Sequence, residues 1–332
     1  MSAQAEIFAS DRARAAVDLY VFHHAGGSRH SFAAWQSKFP AEVALHRVQL
    51  PGRTAETCDV LPKWAGALVP GLVRNFLRSR AGSRRPFVFY GHSLGALIAF
   101  ELTRFLRLIG EDMPAGLVVA SRRAPHCELS HGELFSLPDD ELVAALHRLG
   151  GVPAHMRGKE DWLRQVLPVI RADLRLSDIY RYAGQPPLDC PMLAVKGVDD
   201  PIMSLRELLE WSAHTTGNFT CGELPGAHFF DADGTRRLEA LLVRTLARWA
   251  EFDPTGMPAR PITVPEVRPC STRAVCGRPP EGKRLVEECP DRQRFVCPAC
   301  FGGMVNRHGP RWVARGAVPN GITASTAGQL SR

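Results

Sequence analysis

Residues 86–100 read "PFVFYGHSLGALIAF", an apolar, β-rich run that gives way to a helix-like pattern with glycine, histidine, serine and glycine at the join. Phe87-Val88-Phe89-Tyr90 has the continuous apolar character of a strand buried on both faces. Leu97, Phe100, Glu101 and Arg104 continue at helical spacing, apolar on one side only. Gly91-His92-Ser93-Leu94-Gly95 fits G-x-S-x-G. A strand that turns sharply into a helix holds its serine in a strained, exposed conformation, and glycines two residues to either side let the backbone close tightly. Three fixed positions in five also occur where a chain merely turns. Ser93 is therefore a candidate nucleophile whose partners must be found elsewhere.

Outward from this stretch, strand-like runs recur at "VDLYVF", "ALHRVQL", "GLVVAS" and "PMLAVKG", mostly with helical patterns between them. That alternation argues for an α/β fold with a parallel sheet. Several runs end in small or polar residues: His24-Ala25-Gly26-Gly27, Pro51-Gly52-Arg53, Ser121-Arg122-Arg123 and Gly197-Val198-Asp199-Asp200. Ligands of open parallel sheets bind beyond such strand ends.

Between Pro125 and Pro186 the alternation lapses, and a lid of helices is expected over about 126–186. Pro138-Asp139-Asp140 opens one helix, Leu142, Leu146 and Leu149 follow at helical spacing, and Gly150-Gly151 stops it. A longer pattern runs through Trp162, Val166, Val169, Ile170, Leu174 and Ile179. Most of these side chains are expected to be ordinary core, with part of the face roofing a channel for an acyl chain.

The chain has 332 residues, 45% hydrophobic, enough for one large core and a small appendage. Neither a signal peptide nor a membrane span is expected, since the first residues lack a basic segment followed by an apolar run and no eighteen apolar residues are uninterrupted. Cys58, Cys127, Cys190 and Cys221 are scattered single thiols, which suit a reducing cytosol and a cytoplasmic protein.

Residues 251–332 differ in kind, holding 12 Lys+Arg against 7 Asp+Glu and eleven of the 26 prolines, so a boundary is expected near 252. Residues 1–252 form the expected catalytic domain and 253–332 a loosely folded or disordered tail. Its cysteines, Cys270, Cys276, Cys289, Cys297 and Cys300, include one C-x-x-C but no second pair at zinc-ribbon spacing, and no metal is expected. It has no nucleic-acid module and no interleaved aromatics, so no nucleic-acid partner is expected either. A shifted reading frame or lost stop codon would give the same change in composition.

A serine nucleophile needs a base, an orienting carboxylate and an oxyanion hole. Of twelve histidines, His228 in "LPGAHFF" lies late in the chain after the strand-like "NFTCGEL", whereas His92 would point away from the serine hydroxyl and His126, His131, His147 and His155 fall in the lid. The acid lies in "VKGVDDPIM", where Asp199 and Asp200 both follow a strand and only one should reach the histidine. Backbone N–H groups of Leu94 and of the Ala25 region are the oxyanion candidates.

These segments resemble the stand-alone type II thioesterases of polyketide and nonribosomal peptide synthetases, from about Leu19 to Trp249. "FHHAGGS", "LPGR", "YGHSLGA", "SRRAPH", "LHRLGGVP", "LPVIRADLRLSDIYRY", "PLDCPMLAVKGVDDP", "WSAHTTGNF" and "PGAHFF" resemble that family's segments in the same order. The resemblance implies the α/β-hydrolase fold and a Ser93, Asp200, His228 triad, the acid being assigned by the G-x-x-D-P pattern from Gly197. It implies hydrolysis of acyl thioesters on the phosphopantetheine arm of an acyl or peptidyl carrier protein, clearing misloaded or stalled units, with no cofactor; a monomer is expected. A medium-chain fatty-acyl thioesterase, a carboxylesterase and a carrier-binding module without turnover are the alternatives. The chain departs from the family pattern at His23, where proline is usual, in "PGRTAE", which lacks a charged residue after the arginine, and at Ala227, where a glycine is usual. The first could alter the oxyanion turn, and the last would be strained if its φ were positive.

Overall fold

The structure, a computed structural model, describes residues 5–252 apart from 9, 11, 12, 54–64, 130–132, 149, 151 and 153–157. Thr54, Ala55 and Glu56 of "PGRTAE", Cys58, His131, Leu149, Gly151, His155 and the whole 253–332 tail with its five cysteines lie outside the described residues.

Seven strands form one sheet: β1 (Glu6–Phe8), β2 (Val17–Phe22), β3 (Val43–Gln49), β4 (Phe87–His92), β5 (Gly116–Ala120), β6 (Met192–Gly197) and β7 (Phe219–Leu224), in the order β1-β3-β2-β4-β5-β6-β7. All neighbouring pairs are parallel except β1 with β3. The quoted stretch runs through the centre of the sheet as β4. The three-residue edge strand β1 is not foreseen from the sequence, since "EIF" is too short to show a period.

The strand alternation feeds two cores. Tyr20, Phe22, Phe89, Leu117, Val119 and Met192 pack against α1 (Ala65–Ser79) and α2 (Leu94–Ile109) on one face. Their chain neighbours Leu19, Val21, Val88, Val118 and Leu193 pack against α6 (Ala232–Trp249) on the other. Residues two apart share a face, so continuous apolar runs are what a sheet covered on both sides requires.

Helix α2 departs from its sequence reading. Instead of an apolar side and a polar side, it buries eleven residues, Thr103 and Arg104 among them. It is covered by the sheet, α1 and α4 (Glu160–Asp178). Arg104 is accommodated there by an ion pair with Glu101 and by bonds to Gln185 and the Ala183 carbonyl.

Between β5 and β6 the chain forms α3 (Asp139–Arg148) and α4, with no strand of the sheet among the described residues. Leu142, Leu146, Leu163, Leu167 and Ile170 give this segment a small core of its own. Arg171 ties its helices together, donating to the Leu137 carbonyl at 2.6 Å and to Asp139 Oδ1 at 2.6 Å. The last short helix, α5 (Leu205–Leu209), is opened by a capping box between Ser204 and Glu207.

Candidate active site

The turn from β4 into α2 carries Ser93 at φ 55°, ψ −114°, a conformation that L-residues adopt only where the surroundings enforce it. The surroundings here are backbone. A Cβ on Gly95 would stand 2.2 Å from the Phe22 carbonyl oxygen, and one on Gly91 would stand 2.3 Å from the Gly95 carbonyl. Glycine at both places lets α2 start directly against the ends of β2 and β4. The Ser93 N–H is held by the Ala120 carbonyl at 2.8 Å.

His228, between β7 and α6, reaches across to this turn. Its Nε2 lies 3.1 Å from Ser93 Oγ and its Nδ1 lies 3.1 Å from Asp200 Oδ2. A carboxylate can only accept, so the ring proton sits on Nδ1 and Nε2 is left to accept from the serine hydroxyl. Asp200 is buried, and its other oxygen accepts from the Ile202 N–H at 2.9 Å. Asp199 is exposed, so the two adjacent carboxylates are separated as alternation requires.

The loop that carries His228 is fixed by close approach. Gly197 would place a Cβ 1.9 Å from the Ala227 carbonyl oxygen, and Gly226 has φ 110°. Ala227 is not among the residues with positive φ, so the strain that an alanine could bring there does not arise. His92 supports the same loop. Its Nε2 donates to the His228 carbonyl at 2.9 Å, and its ring stacks on Phe229 at 5.2 Å. Burial first, then the neighbouring His228 and His24, hold His92 well below the usual imidazole range, so it is neutral. The sequence reading sends His92 away from the serine but does not reveal this contact with the loop.

After β2 the chain makes the turn His24–Gly27, with Gly26 at φ 73° and the Gly27 N–H bonded to the His24 carbonyl at 3.0 Å. His23, standing where the family pattern has proline, is fully enclosed. Its Nδ1 donates to the His24 carbonyl at 2.9 Å and its Nε2 accepts from the Leu50 N–H at 3.3 Å. Burial, then Arg53, keep this ring neutral as well. The departure replaces a rigid ring with a hydrogen-bonded bridge between two strand-end loops.

A cavity of about 60 Å³ adjoins Ser93 and His228. Ala25 lines it, with Leu134, Leu146, Ile170 and Leu174 of the inserted helices and with Ser121, Arg122 and Arg123 from the end of β5. Part of the α4 face thus covers the site, and part packs as core. Burial and the adjacent Arg123 pull the Arg122 guanidinium down to about 9, while it donates to Ser177 Oγ at 2.6 Å. Leu94 heads α2, where the first N–H groups have no intrahelical acceptor and the helix end is positive.

A serine, a histidine and a buried carboxylate in hydrogen-bonded series beside such amides form an arrangement suited to acyl transfer. The model of the family described as "Thioesterase domain" matches residues 17–247. The chain belongs to the thioesterase domain family. Linear gramicidin dehydrogenase LgrE of Brevibacillus parabrevis is 34% identical over 245 residues, which cover 70% of this chain and 89% of that one. RedJ, a thioesterase from the prodiginine pathway of Streptomyces coelicolor, superposes with a TM-score of 0.65 at 34% identity, covering 70% of this chain and 87% of its own. BorB, the type II thioesterase of the borrelidin biosynthetic cluster, gives 0.60 at 30%, covering 75% and 97%. LgrE's name denotes a redox activity, so the family model and the two solved structures carry the assignment. This thioesterase is a hydrolase of thioester bonds with the α/β-hydrolase fold.

Among the described residues no group of three or more His, Cys, Asp and Glu side chains could hold a metal ion, and no described helix is long and apolar enough to cross a membrane. One buried carboxylate escapes the sequence reading altogether. Asp173 lies on α4 three residues after Ile170, on the side that faces the sheet ends, and is fully buried. A lone acid on the apolar side of "VIRADL" is the signal that marks it.

Proposed function

We propose that this thioesterase hydrolyses acyl groups held as thioesters on the phosphopantetheine arm of an acyl or peptidyl carrier protein, with Ser93 as nucleophile, His228 as base and Asp200 as its orienting carboxylate. The biological role is removal of aberrant or stalled units from a polyketide or nonribosomal peptide synthetase. The continuous link from Ser93 Oγ through His228 to Asp200 carries the chemistry. The pathway setting draws support from RedJ and BorB, whose names place them in a prodiginine biosynthetic pathway and a borrelidin biosynthetic cluster.

In the first step Ser93 Oγ attacks the thioester carbonyl while His228 Nε2 takes its proton, and the negative charge passes to the former carbonyl oxygen. The N–H groups of Leu94 and Ala25 are the donors proposed for that oxygen. Collapse expels the thiolate of the pantetheine arm, which His228 can protonate. A thiol of pKa about 8.5 leaves far more readily than an alcohol. Water, deprotonated by the same imidazole, then attacks the acyl-serine and releases the acid. Asp200 remains a carboxylate throughout and stabilises the imidazolium. Leu134, Leu146, Ile170 and Leu174 offer an apolar wall to the acyl chain.

Residues 1–252 constitute the catalytic unit in this reading, and the tail is dispensable for chemistry. Cys127, Cys190 and Cys221 are free thiols, in keeping with a protein working in the reducing cytoplasm, and the working unit in this reading is a monomer. The test is to quench the protein during turnover of an acylated carrier and weigh its peptides. The acyl mass is expected on Ser93 and absent from Ser93→Ala. Acylation of another residue, or turnover by Ser93→Ala near the wild-type rate, would remove the assignment.

A further inference from the structure

Helix α4 does more than roof the cavity, because it is bonded to the turn that supplies Ala25. Asp173 Oδ2 accepts from the Gly26 N–H at 2.7 Å. The same carboxylate takes both arms of Arg53, NH2 to Oδ1 at 2.6 Å and NH1 to Oδ2 at 2.7 Å. Arg53 in turn donates to the Gly27 carbonyl at 3.1 Å and to the Pro51 carbonyl at 3.0 Å. Ile170, one turn earlier on α4, seats against Gly26 so closely that a Cβ there would stand 2.4 Å from its Cγ1.

Most polar groups of this turn are already engaged. The Gly26 N–H belongs to Asp173, the Gly27 N–H to the His24 carbonyl, the Gly27 carbonyl to Arg53, and the Ala25 carbonyl faces His24 Nδ1 at 2.9 Å. No acceptor among the described residues engages the Ala25 N–H. A carboxylate with 0% side-chain exposure and a bidentate guanidinium at 8% cannot separate without leaving an unpaired charge in a dry place. Gly26 at φ 73° is a position with little conformational preference of its own, so an external bond has to choose its peptide orientation.

We propose that Asp173 is a positioning residue: through Gly26 and Arg53 it sets the turn that aims the Ala25 N–H at the oxyanion, so that the docked position of α4 and the competent oxyanion turn are one state. This rests on the serine-hydrolase reading above. The ion pair makes the coupling two-sided, because α4 cannot lift without releasing the turn, and the turn cannot reshape without unseating α4.

The test compares wild type with Asp173→Ala and Asp173→Asn on a pantetheine thioester, and measures binding of an alkyl boronic acid, which forms a tetrahedral adduct on serine, and of the matching unreactive amide. Asp173→Ala is expected to lose about 100-fold in kcat with KM within a few-fold, the scale of one lost oxyanion donor. It should bind the boronate more weakly by a similar factor and the amide as before. Asp173→Asn, which can still accept from Gly26, should recover part of both losses. Equal weakening of boronate and amide, or a loss confined to KM, would overturn the proposal. Should both variants fail to fold, hydrogen exchange on wild type decides. The segment around Gly26 and helix α4 are expected to open with one rate and one protection factor, and a turn that stays protected while α4 exchanges would overturn it. Absence of thioester turnover by wild type would instead remove the functional reading and leave the exchange result to judge the coupling.

Discussion

Asp199 and Asp200 are adjacent in the chain, yet Asp200 Oδ2 lies 3.1 Å from His228 Nδ1 inside the protein while Asp199 faces solvent. Asp200→Asn would present an amide to Nδ1 and favour the wrong imidazole tautomer. A fall in kcat on the order of 10⁴-fold is expected, against a change within a few-fold for Asp199→Asn. Steady-state rates on one thioester check the ranking, and a larger effect at Asp199 would misplace the acid.

The elbow glycines are expected to be costly to replace for a reason of contact. Gly95→Ala puts a methyl 2.2 Å from the Phe22 carbonyl oxygen, a backbone atom of β2 that cannot rotate away. A loss of about 1–3 kcal/mol or more is expected, together with displacement of Ser93. Gly184 has nothing within 4 Å of its missing Cβ, so Gly184→Ala should stay within about 0.5 kcal/mol. Urea unfolding of the two variants tests the contrast.

Much of this was legible because the signals are local. Continuous apolar strand runs, the glycine spacing around Ser93 and the G-x-x-D-P motif each occupy a few consecutive residues. The missed parts join distant segments. Arg53 and Asp173 are 120 residues apart, and His92 touches a carbonyl 136 residues away. Neither contact leaves a spacing to read. The β1 edge is too short for a pattern, and α2 hides its polar residues by ion pairing rather than exposure. The expected strain at Ala227 falls one residue off, at Gly226, whose own Cβ would strike the Asp231 nitrogen at 2.3 Å. Gly226→Ala should therefore disturb the histidine loop, while Ala227→Gly should bring no gain in rate.

Stability should depend on pH through the buried imidazoles. His23 and His92 are both held well below the usual range by burial, the first also by Arg53 and the second by His228, and burial with His126 brings His214 down to about 4. The unfolded chain protonates these rings near pH 6.5 and the folded chain does not, so the unfolded state binds more protons below that pH. Their contribution is thus complete above about pH 6.5 and is lost as pH falls, by up to about 1.4 kcal/mol per pH unit for each ring. Unfolding midpoints in urea at pH 7.5 and pH 5 measure the slope, and a flat profile across that range would contradict the neutral assignments.

Ending the chain after Phe252 should leave a folded, active enzyme. Trp249 must be retained, because its ring lies where a Gly116 Cβ would be, 2.1 Å away, and Phe252 packs on the same core. Comparable kcat and melting temperature in truncated and full-length protein are expected. Collapse of the shorter form, or stoichiometric zinc in the longer one, would give the tail a structural role.

The most direct measurement offers one acyl group in three forms, on a holo carrier protein, on coenzyme A and as a simple oxygen ester, and determines kcat/KM for each. Carrier contacts and the pantetheine arm supply binding energy remote from the bond that breaks, which can be used to position the thioester carbonyl against Ser93. The expected order is carrier thioester first, coenzyme A clearly slower and oxygen ester slowest. Equal rates on carrier and coenzyme A would instead indicate a broad fatty-acyl thioesterase, preference for the oxygen ester a carboxylesterase, and no turnover of any form by folded protein a carrier-binding module, each of which contradicts hydrolysis directed at carrier-bound acyl groups.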